Sequence, residues 1–136
     1  MSKQESCLER VGYEMESRLE DLRLLWKAYC QGDDEVEDLG NFPEYGLCFD
    51  YVEGGTDYNE GAGFFRYQIS TGGPGDEFRF FTDSDLFCYR IEYWFLDWFD
   101  GAHKILEGED KQLLLEIYDW FNEIDVTKQA IMDATN

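Results

Sequence analysis

The chain has 136 residues, 43% hydrophobic and 18% aromatic, which is enough for one domain with a real core and too apolar for a disordered chain. Its 31 acidic residues against 11 basic ones give a formal net charge of −20, which argues against phosphate-backbone binding, since that needs exposed Lys and Arg. With no apolar leader and no apolar run long enough to span a bilayer, the expectation is a single acidic α+β domain over residues 1–136, cytoplasmic and not in a membrane.

Residues 4–31 read as a long amphipathic helix. Leu8, Val11, Met15, Leu19, Leu22, Trp26 and Tyr29 recur at spacings of three and four and predict one buried stripe. Glu9, Glu14, Glu16, Glu20 and Asp21 take the other faces, and Gly32 is placed to stop the helix. Asp33-Asp34-Glu35-Val36-Glu37-Asp38 follows as an acidic loop. A calcium loop needs a central Gly at its sixth position, which counted from Asp33 is Asp38, so a solvated charge run is the better reading. Asn41-Phe42-Pro43 breaks the chain before a first strand, Tyr45–Val52, and Glu53–Ala62 is a glycine-containing loop.

Gly63–Asp100 is the stretch around which the rest must pack. Phe64–Ser70 and Glu77–Thr82 flank a Gly/Pro cluster and predict a hairpin, and Leu86–Leu96 is a third aromatic run. Period-2 alternation puts Phe65, Tyr67 and Ile69, then Phe78 and Phe80, then Phe87, Tyr89, Ile91, Tyr93 and Phe95 on one face. Leu86–Leu96 is expected to be an interior strand whose Tyr89, Ile91 and Tyr93 face both helices. Asp100-Gly101 then reads as the end of the sheet. A last helix spans about Glu109–Ile124, burying Leu113, Leu114, Ile117, Phe121 and Ile124, with Glu109 and Asp110 at its positive end. Glu116, Asp119 and Glu123 share another face, and Thr127–Ala134 extends the helix or frays. The predicted fold is α+β: a four-stranded antiparallel sheet packed against a long N-terminal helix and a C-terminal helix.

Catalytic signatures are missing. His103 is the only imidazole, in what reads as a helix approach, with no accompanying Ser or Cys motif. Cys7, Cys30, Cys48 and Cys88 lie far apart without zinc spacing and are expected to be reduced thiols. The Gly72-Gly73-Pro74-Gly75 turn lacks the Lys and the following helix of a phosphate loop. Arg66, Arg79 and Arg90 could form a basic stripe among aromatics, but cross-strand pairing with Glu77 or Glu92 is the better account. The expectation is a non-enzyme with no cofactor, no metal site and no direct nucleic-acid binding.

What remains is negative charge offered to a basic partner. Carboxylates three to seven residues apart on a helix fall at ~4.5 to ~10 Å intervals, a loose echo of the regular charge of DNA. Glu9, Glu16 and Glu20 on the first helix, Glu109, Glu116, Asp119 and Glu123 on the last, and Asp33, Asp34, Glu35, Glu37 and Asp38 between them form the expected contact set. The segments Gly72–Phe81 and Glu92–Ala102, GGPGDEFRFF and EYWFLDWFDGA, together with this charge, resemble small accessory proteins of phages and other mobile elements. These are the acidic anti-restriction and anti-CRISPR inhibitors that act as DNA mimics, a class sharing composition rather than a motif. The resemblance implies a stoichiometric inhibitor that blocks the DNA site of a CRISPR effector or restriction nuclease, with a homodimer open. The alternative is a bacterial immunity protein or antitoxin that neutralises a basic toxin, for which an acidic α+β domain is equally suited.

Overall fold

A computed structural model describes residues 6–33, 35–72 and 74–135. The first helix, α1 (Cys7–Cys30), starts where the Ser6 side chain accepts a hydrogen bond from the Glu9 N–H at 3.3 Å. It ends in a Schellman turn: Asp33 N–H reaches Ala28 O, Gly32 N–H reaches Tyr29 O, and Gly32 has φ +84°. Its buried residues are Cys7, Val11, Met15, Leu19, Leu22 and Leu25. Leu8 and Tyr29, expected in the stripe, are instead 78% and 38% exposed. The contact arc is centred slightly to one side of the predicted one, so Cys7 and Leu25 replace them. Tyr29 still packs on its edge against Trp26, Phe42 and Trp120.

Asn41 and Pro43, read as chain breakers, cap and open a one-turn helix, α2 (Phe42–Tyr45), with Glu44 N–H on Asn41 Oδ1 at 3.0 Å. The first strand therefore begins later than expected, as β1 (Cys48–Val52). It is followed by β2 (Phe64–Ser70), β3 (Gly75–Thr82) and β4 (Cys88–Asp97). The sheet has one strand more than expected, β5 (Asp100–Ile105), and its order is β1-β2-β3-β4-β5, antiparallel throughout. Asp100-Gly101 does not end the sheet. A two-residue turn, Trp98-Phe99, reverses the chain and pairs Asp97 with Asp100. Neither residue carries the Gly or Asn signal of such turns, and Trp98 adopts φ +53°. His103 accordingly lies on a strand, not in a helix approach.

Paired residues across an antiparallel sheet share a face. Phe65, Phe80 and Ile91 form one such row, and Tyr67, Phe78 and Tyr93 another. The helices cover this face. Two bulges interrupt the alternation. Gln68 pairs with Glu77 but Ser70, not Ile69, pairs with Asp76; Phe81 pairs with Arg90 but Thr82 pairs with Cys88. The second bulge leaves Tyr89 as the extra residue. Tyr89 and Phe87, expected on the core face, are therefore exposed at 57% and 77%, whereas Ile91, Tyr93 and Phe95 are buried.

The helix α3 (Gly108–Glu123) lies over β1–β3: Tyr118 stacks on Phe80 at 5.4 Å and Phe121 on Phe49 at 4.2 Å. Ile124, expected in its stripe, is its half-exposed cap, because Asp125 turns the chain at φ +63° into α4 (Val126–Thr135). That last helix packs on α3 and on β1. The β4 strand is interior, between β3 and β5, and contacts α1 and α3.

Two consequences can be measured. Tyr93→Ala removes a fully buried ring and should cost about 3–5 kcal/mol, whereas Tyr89→Ala should stay within about 0.5 kcal/mol; denaturant midpoints with unchanged slope would check both. Burial also raises the phenols of Tyr45, to about 12, and of Tyr67, Tyr93 and Tyr118 still further. The folded chain thus keeps these protons at a pH where the unfolded chain loses them. Stability is fully present below about pH 10 and falls as pH climbs through the raised values. An ultraviolet titration should show these tyrosines ionising only as the protein unfolds; normal titration of all nine in the folded protein would contradict it.

A candidate protein-interaction surface

The charges of this chain are divided between two locations. Each of its six arginines holds a carboxylate: Arg10–Glu14, Arg18–Asp76, Arg23–Asp110, Arg66–Asp50, Arg79–Glu77 and Arg90–Glu92. Three of these pairs sit on the sheet face turned away from the helices. Arg66 reaches across to Asp50 at 2.7 Å, while Arg79 and Arg90 reach along their own strands to Glu77 and Glu92, each at 2.7 Å. Glu77 and Glu92 are thus the partners expected for the sheet arginines, but they pair along their own strands, and the one cross-strand pair is Arg66 with Asp50. Flat groups stack in a row across four strands. The Arg79 guanidinium lies 4.6 Å from the Phe64 ring centre and 4.0 Å from that of Trp94, which stacks on His103 at 4.4 Å. All three guanidiniums are compensated by a carboxylate, and Arg66 and Arg79 are also largely covered, so the sheet presents no uncompensated basic stripe among the described residues.

The helix layer presents the opposite. Glu9, Glu16 and Glu20 are exposed on α1, and Glu109, Glu116, Asp119 and Glu123 are exposed on α3. Asp33, Glu35, Glu37 and Asp38 are exposed on the loop after α1; Asp34 lies outside the described residues. None of these eleven carboxylates takes part in an ion pair among the described residues. The two helices lie side by side on one sheet face, tied by the Arg23–Asp110 pair and by Trp120 Nε1 donating to Tyr29 Oη at 3.2 Å. Glu116 is near enough to the end of α1 to add to the burial that raises the Cys30 thiol. The structure thus brings Glu116 close to the C-terminal end of α1. Glu9 sits at the opposite end, where Cys7 N–H is bound by Asp100 at 2.8 Å.

This placement does not serve the helices themselves. Glu16 and Glu20, and Asp119 and Glu123, are like charges four residues apart, each pair costing a few tenths of a kcal/mol. Glu123 stands in the last turn of α3, where the dipole favours cations and no basic residue is present. One feature was not read from the sequence: the exposed Trp98-Phe99 tip. It depends on a turn whose residues give no turn signal.

All four cysteines are free thiols, with Cys7 buried and Cys30 and Cys48 exposed. Among the described residues no three His, Cys, Asp or Glu side chains converge as a metal site, and no helix is long and apolar enough to cross a membrane. Comparison with protein-family models, with curated proteins and with solved structures finds no match for this chain.

If the outward charges repel one another, neutralising one should stabilise the fold. Glu20→Gln should gain about 0.2–0.5 kcal/mol at low salt. The gain should vanish near 1 M salt, where the Debye length is ~3 Å. Thermal melts at two salt concentrations would check it; a loss at low salt would mean that Glu20 has a stabilising role.

Proposed function

We propose that this chain is a stoichiometric protein inhibitor whose helix layer presents a DNA-like acidic surface to a basic nucleic-acid-binding partner, of the anti-CRISPR or anti-restriction type. One observation carries the reading. Four of the six arginines pair with carboxylates of the sheet, and Arg10 and Arg23 hold Glu14 and Asp110, while eleven further carboxylates of α1, α3 and the loop after α1 stand outward without an ion pair among the described residues. Helices packed side by side are ~8–10 Å apart. Carboxylates spaced ~4.5–10 Å along each then make a two-row array, sparser than the ~1.7 Å charge spacing of DNA but of the same sign and reach. Such an array speeds encounter with a basic groove and competes with nucleic acid for it.

In this reading the protein works by occupancy, without turnover, cofactor or metal. Its only imidazole, His103, is spent on the Trp94 stack. The partner is a defence nuclease or related effector, and the chain itself does not bind DNA.

The test begins with recovery of a basic partner from host lysate, followed by competition between this protein and DNA for it. Glu116→Lys, Asp119→Lys and Glu123→Lys combined should slow association at least tenfold at low salt, and added salt should shrink the difference. The same reversals at three acids on the loop after β1 and on α4 should slow it far less. Simultaneous binding of DNA and this protein, each with undiminished affinity, would rule out groove competition.

A further inference from the structure

The loop between β3 and β4 folds back against α3 and is held firmly. Asp83 Oδ1 accepts from the N–H groups of Asp85 and Phe87 at 2.9 and 3.0 Å, and Asp83 N–H donates to Phe87 O at 3.0 Å. Tyr118 Oη donates to Leu86 O at 2.8 Å, fixing Leu86 at φ +67°. Between loop and helix a cleft of about 380 Å³ remains open. Its walls are divided by character. Leu86 and Leu115 give it apolar surface, Asp85 and Asp119 give it carboxylates, and Phe87 stands 77% exposed beside them.

Neither carboxylate has a side-chain hydrogen bond or ion pair among the described residues. The chain also cannot fill the cleft with its own guanidinium, because every arginine is bound elsewhere. The Lys111 ammonium, on the same helix, is engaged by Tyr89 O at 3.1 Å. The cleft is therefore complementary to a long side chain with an apolar stem and a cationic, planar head.

We propose that this cleft seats one arginine side chain of the basic partner. The aliphatic stem lies along Leu86 and Leu115, and the guanidinium meets Asp119 and Asp85 with its plane against the Phe87 ring. Arginine fits better than lysine because its fork serves two carboxylates and an aromatic face at once. The inference rests on the proposed function and deepens it. Exposed acidic helix faces raise the encounter rate but contribute little affinity per charge, whereas a side chain seated in a cleft holds the complex together.

The experiment needs no identified partner. Amide spectra of the full chain would be titrated with the capped tripeptide Gly-Arg-Gly and with counterparts carrying lysine or citrulline, the latter an uncharged near-isostere of arginine. Arginine should produce saturable shifts confined to residues 85–88 and 115–122, lysine should bind several-fold more weakly, and citrulline should not saturate. Asp119→Asn and Asp85→Asn should each weaken the arginine response several-fold without lowering the melting midpoint, and Glu60→Gln, an equal charge loss elsewhere, should leave it intact. Shifts that spread along both helices without saturating, equal responses to arginine and citrulline, or a response surviving in both aspartate variants would overturn the proposal. DNA competition without a saturable cleft sinks this inference alone. A saturable cleft on a protein that does not compete with DNA sinks the functional reading alone.

Discussion

Asp76, 2% exposed on the core face of β3, receives hydrogen bonds from Arg18 Nε at 2.7 Å and Nη2 at 3.3 Å, from Tyr93 Oη at 2.7 Å and from Ser70 Oγ. Arg18 passes the connection on to Tyr45 Oη at 3.1 Å, and Tyr45 donates to Asp21 at 2.7 Å. One carboxylate thereby joins α1, α2, β2, β3 and β4. A buried charge is costly unless fully paired, and here every valence is answered; no buried side-chain polar atom among the described residues lacks a partner. The bulge in β2 makes this possible, because without the extra residue Ile69, not Ser70, would face Asp76. The network fixes the lengthwise position of α1 on the sheet, which nonspecific apolar contacts alone would leave free to slide.

The same economy of charge sets the outer surface. With a net −20 and only eleven cations, compensation cannot be general. Three of the six arginines go where desolvation would make an unpaired carboxylate expensive: beside Asp76, and onto Glu77 and Glu92, which are 2% and 5% exposed on the far sheet face. Water solvates the rest. The outward acids of α1 and α3 are thus the residue of a distribution in which interior demand is met first, and their mutual repulsion is tolerated because the aromatic core carries the fold.

The sequence announced the α+β layering clearly, since period 3.6 in α1 and α3 and period 2 in β2–β4 are strong signals. It was less informative wherever one residue shifts a register. The bulge at Tyr89 reverses the faces of Phe87 and Tyr89 while leaving Ile91, Tyr93 and Phe95 as read. The Trp98-Phe99 reversal hid β5, because a positive-φ tryptophan is not a turn signal. In α1, Leu8 and Cys7 were both admissible on the stripe edge, and only contact with β5 decides between them. The outward position of the acids on α1 and α3 was legible from composition and spacing. The side-by-side placement of α1 and α3, and the cleft beside Asp119, come from tertiary packing.

The contact between Cys7 and Asp100 spans 93 residues, and α1 finds its sheet partners mainly in β4 and β5. The first helix to be synthesised therefore packs against the last strands. At ~5–20 residues per second, Cys7 precedes Asp100 out of the ribosome by roughly 5 to 19 s. During that interval an amphipathic segment has an unburied apolar stripe and no sheet to receive it. Its glutamates then act as solubilising gatekeepers, holding apart nascent chains that would otherwise associate through Val11, Met15 and Leu19. The charge that solvates the mature helix also protects the unfinished chain.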